Sequence, residues 1–308
     1  MSFANLKRSS NSGFEDLQKK LSKTKSGGFD KESTSKFWRL SWDKETKTGY
    51  AVIRFLPECE GESEAFVRLY KHSFQDPNTG KWYIENSRTT IGEKDPVSEA
   101  NSKLWNTGIP ENQEIVRKRK RQQKFISNIY VVSDPKNPEN EGKVFLFEYG
   151  PKIFAMLEAA ANPQFVDDRK INPFDLWNGA NFKLKAHEVS KQRSYDKSSF
   201  EEPAPLSDDD SELERIWKSQ HSLAALVAPE AFKPYDVLKK RFEYVIGHSS
   251  DVGSAVDRAV SASNEGDAPW DEETSENKAF FAKSAPKPTQ LVDDDTDLQD
   301  YASLLGDE

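Results

Sequence analysis

The hydrophobic pattern of this chain is typical of short strands over residues 37–200. Runs rich in β-branched and aromatic residues are separated there by turns containing Pro, Gly, Asn or Asp. Such runs predict strands, and many short strands with one helical insert favour a small barrel that carries embellishments. The predicted strands are residues 37–42, 50–56, 66–70, 82–84, 125–132, 144–149 and 181–189, and the helical insert is 153–161.

The pattern becomes helical after Asp208. Apolar residues then recur at three- and four-residue spacing, with Ser207 or the acids behind it as the N-cap, and the periodic residues are Leu213, Ile216, Trp217, Leu223 and Leu226. A second helix is predicted at residues 235–246, ending at Gly247. Beyond Ser249 no period persists, and we predict disorder.

Residues 1–36 form a basic arm in this interpretation. Phe14, Leu17 and Leu21 fall at helical spacing, but a helix this short is not stable without a partner. We therefore predict three parts: a flexible arm (1–36), a mixed, mainly β core with an OB-fold-type barrel and a helical C-terminal part (37–248), and a flexible tail (249–308).

Composition narrows the class of protein. The chain of 308 residues is 35% hydrophobic and 31% charged, which fits a folded core with polar ends. We find no apolar run long enough to span a bilayer and no signal-peptide core, so we expect no membrane association and no export. Cys59 is the single cysteine, which excludes an intrachain disulfide.

The net charge of −8 is located mainly in the tail. Residues 264–308 hold 13 acids and 3 bases, so the remainder of the chain is slightly basic. Net charge therefore says less about a binding surface than the distribution of charge does.

A dense basic run precedes the predicted strand at 125–132. Such a run, attached to a rigid sheet, matches a polyanion because each neutralised phosphate releases condensed counterions. A solvated loop or a localisation signal is the alternative for the run taken alone. Its residues are Arg117, Lys118, Arg119, Lys120, Arg121 and Lys124.

Aromatic residues accompany the bases throughout the β region. Binders of single-stranded nucleic acid combine a basic groove with rings on which bases stack. Most rings in a small β domain are core, so we expect exposure only for rings beside charges. These candidates are Tyr83, Trp105, Phe125, Phe147, Tyr149 and Tyr195; the alternating bases are Arg54, Arg68, Lys81 and Arg88.

Catalysis finds little support. The sequence has no Gly-rich phosphate loop and no Cys/His metal spacing, and its four histidines are scattered. The acidic triplets 208–210 and 293–295 could bind two metal ions as in a nuclease, but consecutive side chains diverge. We expect no enzymatic activity.

Several blocks in one order resemble the single-stranded DNA-binding, helix-destabilising proteins of T-even-like bacteriophages. The resemblance covers most of the chain and is weak over residues 201–260. The blocks are residues 51–57, 80–85, 134–135, 138–145, 177–182 and 294–298.

The resemblance implies a function and a set of DNA contacts. It implies cooperative, largely sequence-independent binding of single-stranded DNA in phage replication, recombination and repair, with protomer contacts through Lys7, Arg8, Ser9 and Ser10. Family positions for DNA contacts match Arg54, Tyr83, Trp105, Phe125, Phe147 and Tyr195, and Ile126 stands where an aromatic is expected. With the basic residues added, the predicted contacts are Arg54, Lys81, Tyr83, Arg88, Trp105, Arg117, Lys118, Arg119, Lys120, Arg121, Lys124, Phe125, Phe147, Tyr149, Arg193 and Tyr195.

The resemblance also raises a question about zinc. The family pattern of one histidine and three cysteines reads His72, Ser87, Asp95 and Ser98 here. Hydroxyls are poor zinc ligands compared with thiolates, so we expect no zinc and no other cofactor.

The acidic tail is expected to act in two ways. It can compete with DNA for the basic core, and it can recruit the phage polymerase, helicase loader, primase and recombination mediator through Leu298, Leu304 and Leu305. The expected location is the cytoplasm of the infected bacterial host. A single-stranded RNA-binding OB protein and, more remotely, a metal-dependent nuclease remain alternatives.

Overall fold

The computed structural model describes residues 36–165, 167 and 169–247. The predicted tail lies outside these residues, as does the arm apart from Lys36, so Lys7, Arg8, Ser9 and Ser10 cannot be placed. The described chain folds into one sheet with helices packed around it.

Nine strands and five α-helices make up the described part of the chain. The strands are β1 (Phe37–Trp38), β2 (Thr48–Phe55), β3 (Phe66–Gln75), β4 (Trp82–Asn86), β5 (Gln122–Ser133), β6 (Val144–Tyr149), β7 (Phe182–Val189), β8 (Gln192–Ser194) and β9 (Ser199–Phe200). The α-helices are α1 (Pro96–Trp105), α2 (Pro110–Arg119), α3 (Pro151–Ala161), α4 (Asp210–Lys218) and α5 (Tyr235–Val245). Short 3-10 helices lie at Arg88–Ile91, Pro138–Asn140, Ala224–Val227 and Pro229–Ala231.

All seven predicted strands are present, although the first shrinks to two residues. The helical insert matches α3, and α4 is N-capped by Asp209, whose Oδ1 accepts a hydrogen bond from the Ser211 amide at 2.9 Å. Helix α4 ends at Lys218, so Leu223 and Leu226 do not continue it. Helices α1 and α2 were not predicted.

The long strand β5 organises the sheet. Its first half pairs with β3 and its second half with β2, while β6 pairs along residues 125–130. Because β6 occupies one edge of β5 across both halves, β2 and β3 lie end to end along the other edge. Strand β7 continues outward from β2, and β1 adds to β6 in parallel.

The main hydrophobic core covers one face of this sheet. It includes Ile53 and Phe55 of β2, Phe66 of β3 and Phe125 of β5. Helix α3 closes the core at Phe154, whose ring stacks on Phe125 with the ring centroids 3.9 Å apart.

A second core lies at the far end of β3. The second half of β3 pairs with β4, and there Phe74 and Tyr83 pack against Val97 of α1 and Phe242 of α5. Strand β3 therefore contributes side chains to both cores.

The mixed, mainly β class is confirmed, but the closed barrel is not. Over the described residues, the pairing runs from β1 through β6, β5, β2 and β7 to β8 without returning to its start. None of the helices in this part of the chain combines the length and apolarity needed to cross a bilayer.

Candidate nucleic-acid interface

The basic run spans the junction between α2 and β5. Arg117 and Arg119 lie in the last turn of α2, where cations interact favourably with the helix dipole. At Lys120 the backbone turns to ψ 147°, and β5 begins two residues later at Gln122. The run therefore leads directly into β5, and a helix that was not predicted from the sequence carries its first half. We call residues 117–124 the cationic segment.

Two aromatic rings make three contacts with cations around this segment. The guanidinium carbon of Arg121 lies 4.2 Å from the centroid of the Tyr70 ring, and that of Arg68 lies 5.3 Å from it. The guanidinium carbon of Arg117 lies 5.7 Å from the Trp105 centroid. All five side chains are at least partly exposed. We call Arg68, Tyr70, Trp105, Arg117 and Arg121 the stacking surface.

Sheet register explains why this surface forms. Arg68 is opposite Phe125 and Tyr70 is opposite Gln123, so both residues of β3 lie on the face that carries the main core. They follow Phe66 of the main core and precede Phe74 of the second core on the same face of β3. Arg68 and Tyr70 thus lie in the interval between the two cores.

The other cations of the segment differ in availability. The Lys118 side chain is 66% exposed and is 3.9 Å from Glu114, a separation at which an exposed ion pair contributes little. Lys120 is half-buried. Lys124 is half-buried beside Glu148, and Arg119 is 12% exposed and bonded to Asp76 at 2.6 Å. Arg119 therefore anchors the segment instead of facing solvent.

Four of the six rings expected to be exposed are buried. Tyr83, Phe125, Phe147 and Tyr149 are between 1% and 6% exposed, and they pack in the two cores. In this structure they cannot stack on a base. Phe125 and Phe147 show the reason, since each is adjacent to a charged residue in a strand, and neighbours in a strand point to opposite faces.

Arg54 is also buried, at 1% exposure. Its guanidinium donates hydrogen bonds to the carbonyls of Asp175 (3.0 Å) and Ala204 (2.8 Å), and burial lowers its pKa to about 10 against the charge of Asp175. A side chain at Gly179 would collide with this arrangement, because its Cβ would lie 2.3 Å from the Asp175 carbonyl oxygen. The predicted DNA contact at Arg54 is thus a structural residue here.

The remaining predicted contacts are dispersed. Lys81 places its Nζ 3.3 Å from the Tyr244 centroid, and Arg88 donates to the Lys233 carbonyl at 2.9 Å while pairing with Glu93. At the far edge of the sheet, the guanidinium carbon of Arg193 in β8 lies 4.5 Å from the centroid of the Trp42 ring. Tyr195 packs at the edge of the main core. The structure does not bring these residues together with the stacking surface.

Two members of the stacking surface were absent from the predicted contacts. Arg68 and Tyr70 alternate with the buried residues Val67 and Leu69 in β3. This period-2 pattern was visible in the sequence and indicates an exposed strand face.

The positions that match the family's zinc pattern form a polar cluster beneath the cationic segment, in which His72, Ser87 and Asp95 are buried and Ser98 is half-buried. His72 Nε2 lies 3.3 Å from both Ser98 Oγ and Asp95 Oδ1. Asp95 caps α1 by accepting from the amides of Val97 and Ser98, and Ser87 Oγ is 3.0 Å from Thr89 Oγ1.

This cluster does not fit a structural zinc ion. It offers no thiolate, and only His72 and Asp95 carry ligand types that zinc prefers. Burial alone would raise the pKa of Asp95, but its contact with His72 and the amides of Ser98 and Arg88 hold that pKa below its usual value. Within the described ranges, no group of three or more His, Cys, Asp and Glu side chains could hold a metal ion.

The first acidic triplet has structural contacts. Asp209 caps α4, and Asp210 accepts a hydrogen bond from Trp177 Nε1 at 3.0 Å. The second triplet, residues 293–295, lies outside the described residues. The described triplet therefore offers no observation in favour of a nuclease.

Comparison with known proteins places the chain in a family. Residues 47–246 match the family model described as gp32 DNA binding protein like. The single-stranded DNA-binding protein of Enterobacteria phage T2 is 34% identical over 290 residues, which is 91% of this chain and 93% of that protein. Its counterpart in Enterobacteria phage T4 is 33% identical over 289 residues, 90% of this chain and 93% of that protein. The single-stranded DNA-binding protein of Escherichia phage SV14 is 42% identical over 96 residues, 30% of this chain and 81% of that protein. The chain thus belongs to the gp32 DNA-binding-protein-like family.

Proposed function

We propose that this protein binds single-stranded DNA, largely without sequence preference, during phage DNA replication, recombination and repair. The observation that carries the proposal is the stacking surface, in which Arg68 and Arg121 both contact the ring of Tyr70 and Arg117 contacts that of Trp105. Membership of the family and the similarity to the single-stranded DNA-binding proteins of phages T2 and T4 support it.

The chemistry of the surface favours an unpaired strand. Every base has a π-face that can stack on a ring or a guanidinium plane, and in a duplex these faces are already covered by neighbouring bases. Arginines and lysines of the cationic segment would neutralise phosphates and release counterions, which makes binding salt-dependent. Binding of this kind needs no bond cleavage and no ATP, so we propose no enzymatic activity.

The finer parts of the proposal concern architecture and partners. We propose that the sheet is an OB-type core. The arm joins neighbouring protomers along DNA through Lys7, Arg8, Ser9 and Ser10. The acidic tail recruits the phage polymerase, helicase loader, primase and recombination mediator. The charge separation supports the role of the tail, because residues 264–308 hold 13 acids and 3 bases. The proposed location is the cytoplasm of the infected host.

Fluorescence titration tests the function directly. The chain has 7 tryptophans, and Trp105 belongs to the stacking surface, so oligo-dT should quench the emission of the protein. A parallel titration with poly-U measures the preference for DNA over RNA, and equal or tighter binding of poly-U would favour the RNA-binding alternative. Absence of binding to either polymer at low salt would refute the proposal.

The nuclease alternative has a separate assay. End-labelled single-stranded DNA is incubated with the protein and Mg²⁺ or Mn²⁺, and the products are separated on a denaturing gel. We expect no shortened strand.

Removal of residues 264–308 tests whether the acidic tail competes with DNA for the core. If it does, the truncated protein should bind DNA more tightly and with a steeper salt dependence, whereas unchanged affinity would exclude that competition.

A further inference from the structure

The C-terminal end of α2 is held by two side chains from other elements. The carbonyl oxygen of Arg119, the last residue of the helix, has no partner within α2 because the final carbonyls of a helix lack an intrahelical donor. It accepts hydrogen bonds from His72 Nδ1 of β3 at 3.1 Å and from Asn101 Nδ2 of α1 at 3.1 Å. These bonds fix the point where the helix ends and the chain turns toward β5.

The contacts define the proton on His72. A carbonyl oxygen can only accept, so Nδ1 must carry hydrogen, and Nε2 is the atom that faces Ser98 and Asp95. The imidazole is fully buried, so no water competes for its nitrogens, and a single ring orientation provides partners for both of them. One side meets the cluster at the family's zinc positions, and the other meets the backbone of the cationic segment.

The same junction is held through the Arg119 side chain. Its guanidinium bonds Asp76 at 2.6 Å and lies over Phe74 and Phe242 of the second core. Two residues further along, Arg121 is stacked on Tyr70. A shift of the Arg119 carbonyl would therefore displace Arg121 and Lys120, which follow it directly.

We infer that His72 is a positioning residue for the cationic segment and that the polar cluster of His72, Asp95 and Ser98 performs this role without zinc. The imidazole transmits the fixed geometry of the α1 N-terminus to the end of α2. The link to DNA affinity rests on the proposed function, whereas the link to the backbone at 119–121 does not.

Three substitutions separate the contact made by Nδ1 of the imidazole from the contacts made by Nε2. In His72→Asn the side-chain nitrogen is bonded to Cγ, as Nδ1 is in histidine, so the donor to the Arg119 carbonyl can be kept. In His72→Gln the nitrogen reaches further and corresponds to Nε2, so the side chain faces Asp95 and Ser98 instead. His72→Ala removes both contacts. Ile216→Ala, in a separate cluster beside α4, is the control for lost stability alone.

Hydrogen exchange of the full-length protein is the direct readout. For peptides covering residues 117–124, we expect exchange about fivefold or more faster in H72A and H72Q, and within about twofold of wild type in H72N, because only H72N keeps the bond to Arg119. I216A should leave this region unchanged at temperatures well below its melting point. Equal exchange in all three His72 variants would overturn the positioning role.

DNA titration and metal analysis complete the test. Affinity for oligo-dT should fall about tenfold in H72A and H72Q and stay near wild type in H72N, following exchange and not melting temperature. If wild type binds but affinity falls in proportion to melting temperature in every variant, His72 is merely structural. If wild type itself does not bind, the proposed function fails while the exchange result still decides the role of His72.

Metal analysis of the purified protein tests whether the cluster works without zinc. One tightly held zinc per chain, or a melting temperature lowered by chelator, would overturn the inference that it does.

Discussion

Replacing Tyr70 by alanine is the sharpest test of the stacking surface. The ring is partly exposed and is contacted on its face by Arg68 and Arg121, so its removal takes away a stacking platform but no charge. Alanine substitution at a stacking ring costs about 1–3 kcal/mol per base. We therefore expect affinity for oligo-dT to fall by about 5- to 150-fold.

Salt dependence identifies which interaction is lost. Each phosphate neutralised on a single strand contributes about 0.7 to the slope of log K against log salt concentration. Tyr70→Ala keeps every arginine, so its slope should match that of wild type although binding is weaker. Anisotropy titrations of a labelled oligo-dT at four or more salt concentrations provide both quantities.

Tyr50→Ala is the matched control. Tyr50 is 41% exposed on β2, but it alternates with Ala51 of the main core and so points to the opposite face of the sheet. We expect Y50A to bind as wild type does. If Y70A bound as tightly as Y50A, or if Y70A lost affinity only through a reduced salt slope, the role assigned to the ring would be wrong.

Four further predictions follow from individual contacts. Arg121→Ala should weaken binding to all sequences and reduce the salt slope by about 0.7, measured in the same titrations; an unchanged slope would exclude a phosphate contact. Arg54→Met should lower the free energy of unfolding by about 3 kcal/mol, because it leaves buried carbonyls without donors, yet affinity measured well below the melting temperature should remain; urea denaturation and titration check the two parts. Burial would raise the pKa of Asp76, but the amides of Thr79 and Asn78 and the Arg119 guanidinium hold that pKa below the usual value of 3.8. The ionised carboxylate therefore stabilises the fold fully above pH 3.8, and this contribution is lost as the pH falls through the lower folded pKa. The melting temperature of Asp76→Asn should fall less steeply in acid than that of wild type, and parallel curves would contradict this. Burial raises the pKa of Cys59 to about 12, so its thiol should react with an aromatic disulfide reagent far more slowly in native than in urea-denatured protein, and equal rates would show that the site opens.

The strands could be predicted because their residues carry a strong local signal. β-Branched and aromatic residues bounded by turns mark β2, β3 and β6, and each is present. Helix α2 lacks a hydrophobic period, because Ile115 and Val116 are its only large apolar residues. Helix α1 does carry Val97, Ala100 and Leu104 at three- and four-residue spacing, but this pattern covers only two turns. The signals at their starts were Asp95 before Pro96, and Pro110, since proline at the first helical position is favourable.

The site could be predicted in charge but not in geometry. The basic run predicts Arg117 and Arg121 as contacts, and both belong to the stacking surface. Exposure of rings could not be inferred from an adjacent charge, because Lys124 and Phe125 are neighbours on opposite faces of β5. The face that each residue takes depends on strand pairing, which is a property of distant parts of the chain.

The position of Tyr70 in β3 has a mechanical consequence. Its strand enters the main core with Phe66 and the second core with Phe74, and between them Val67 and Leu69 are buried in a third cluster on the opposite face of the strand. The backbone under the ring is therefore packed from behind, and burial of its sequence neighbours fixes the position of the ring. A base that stacks there meets a platform that is already ordered, so little binding free energy is lost in immobilising it.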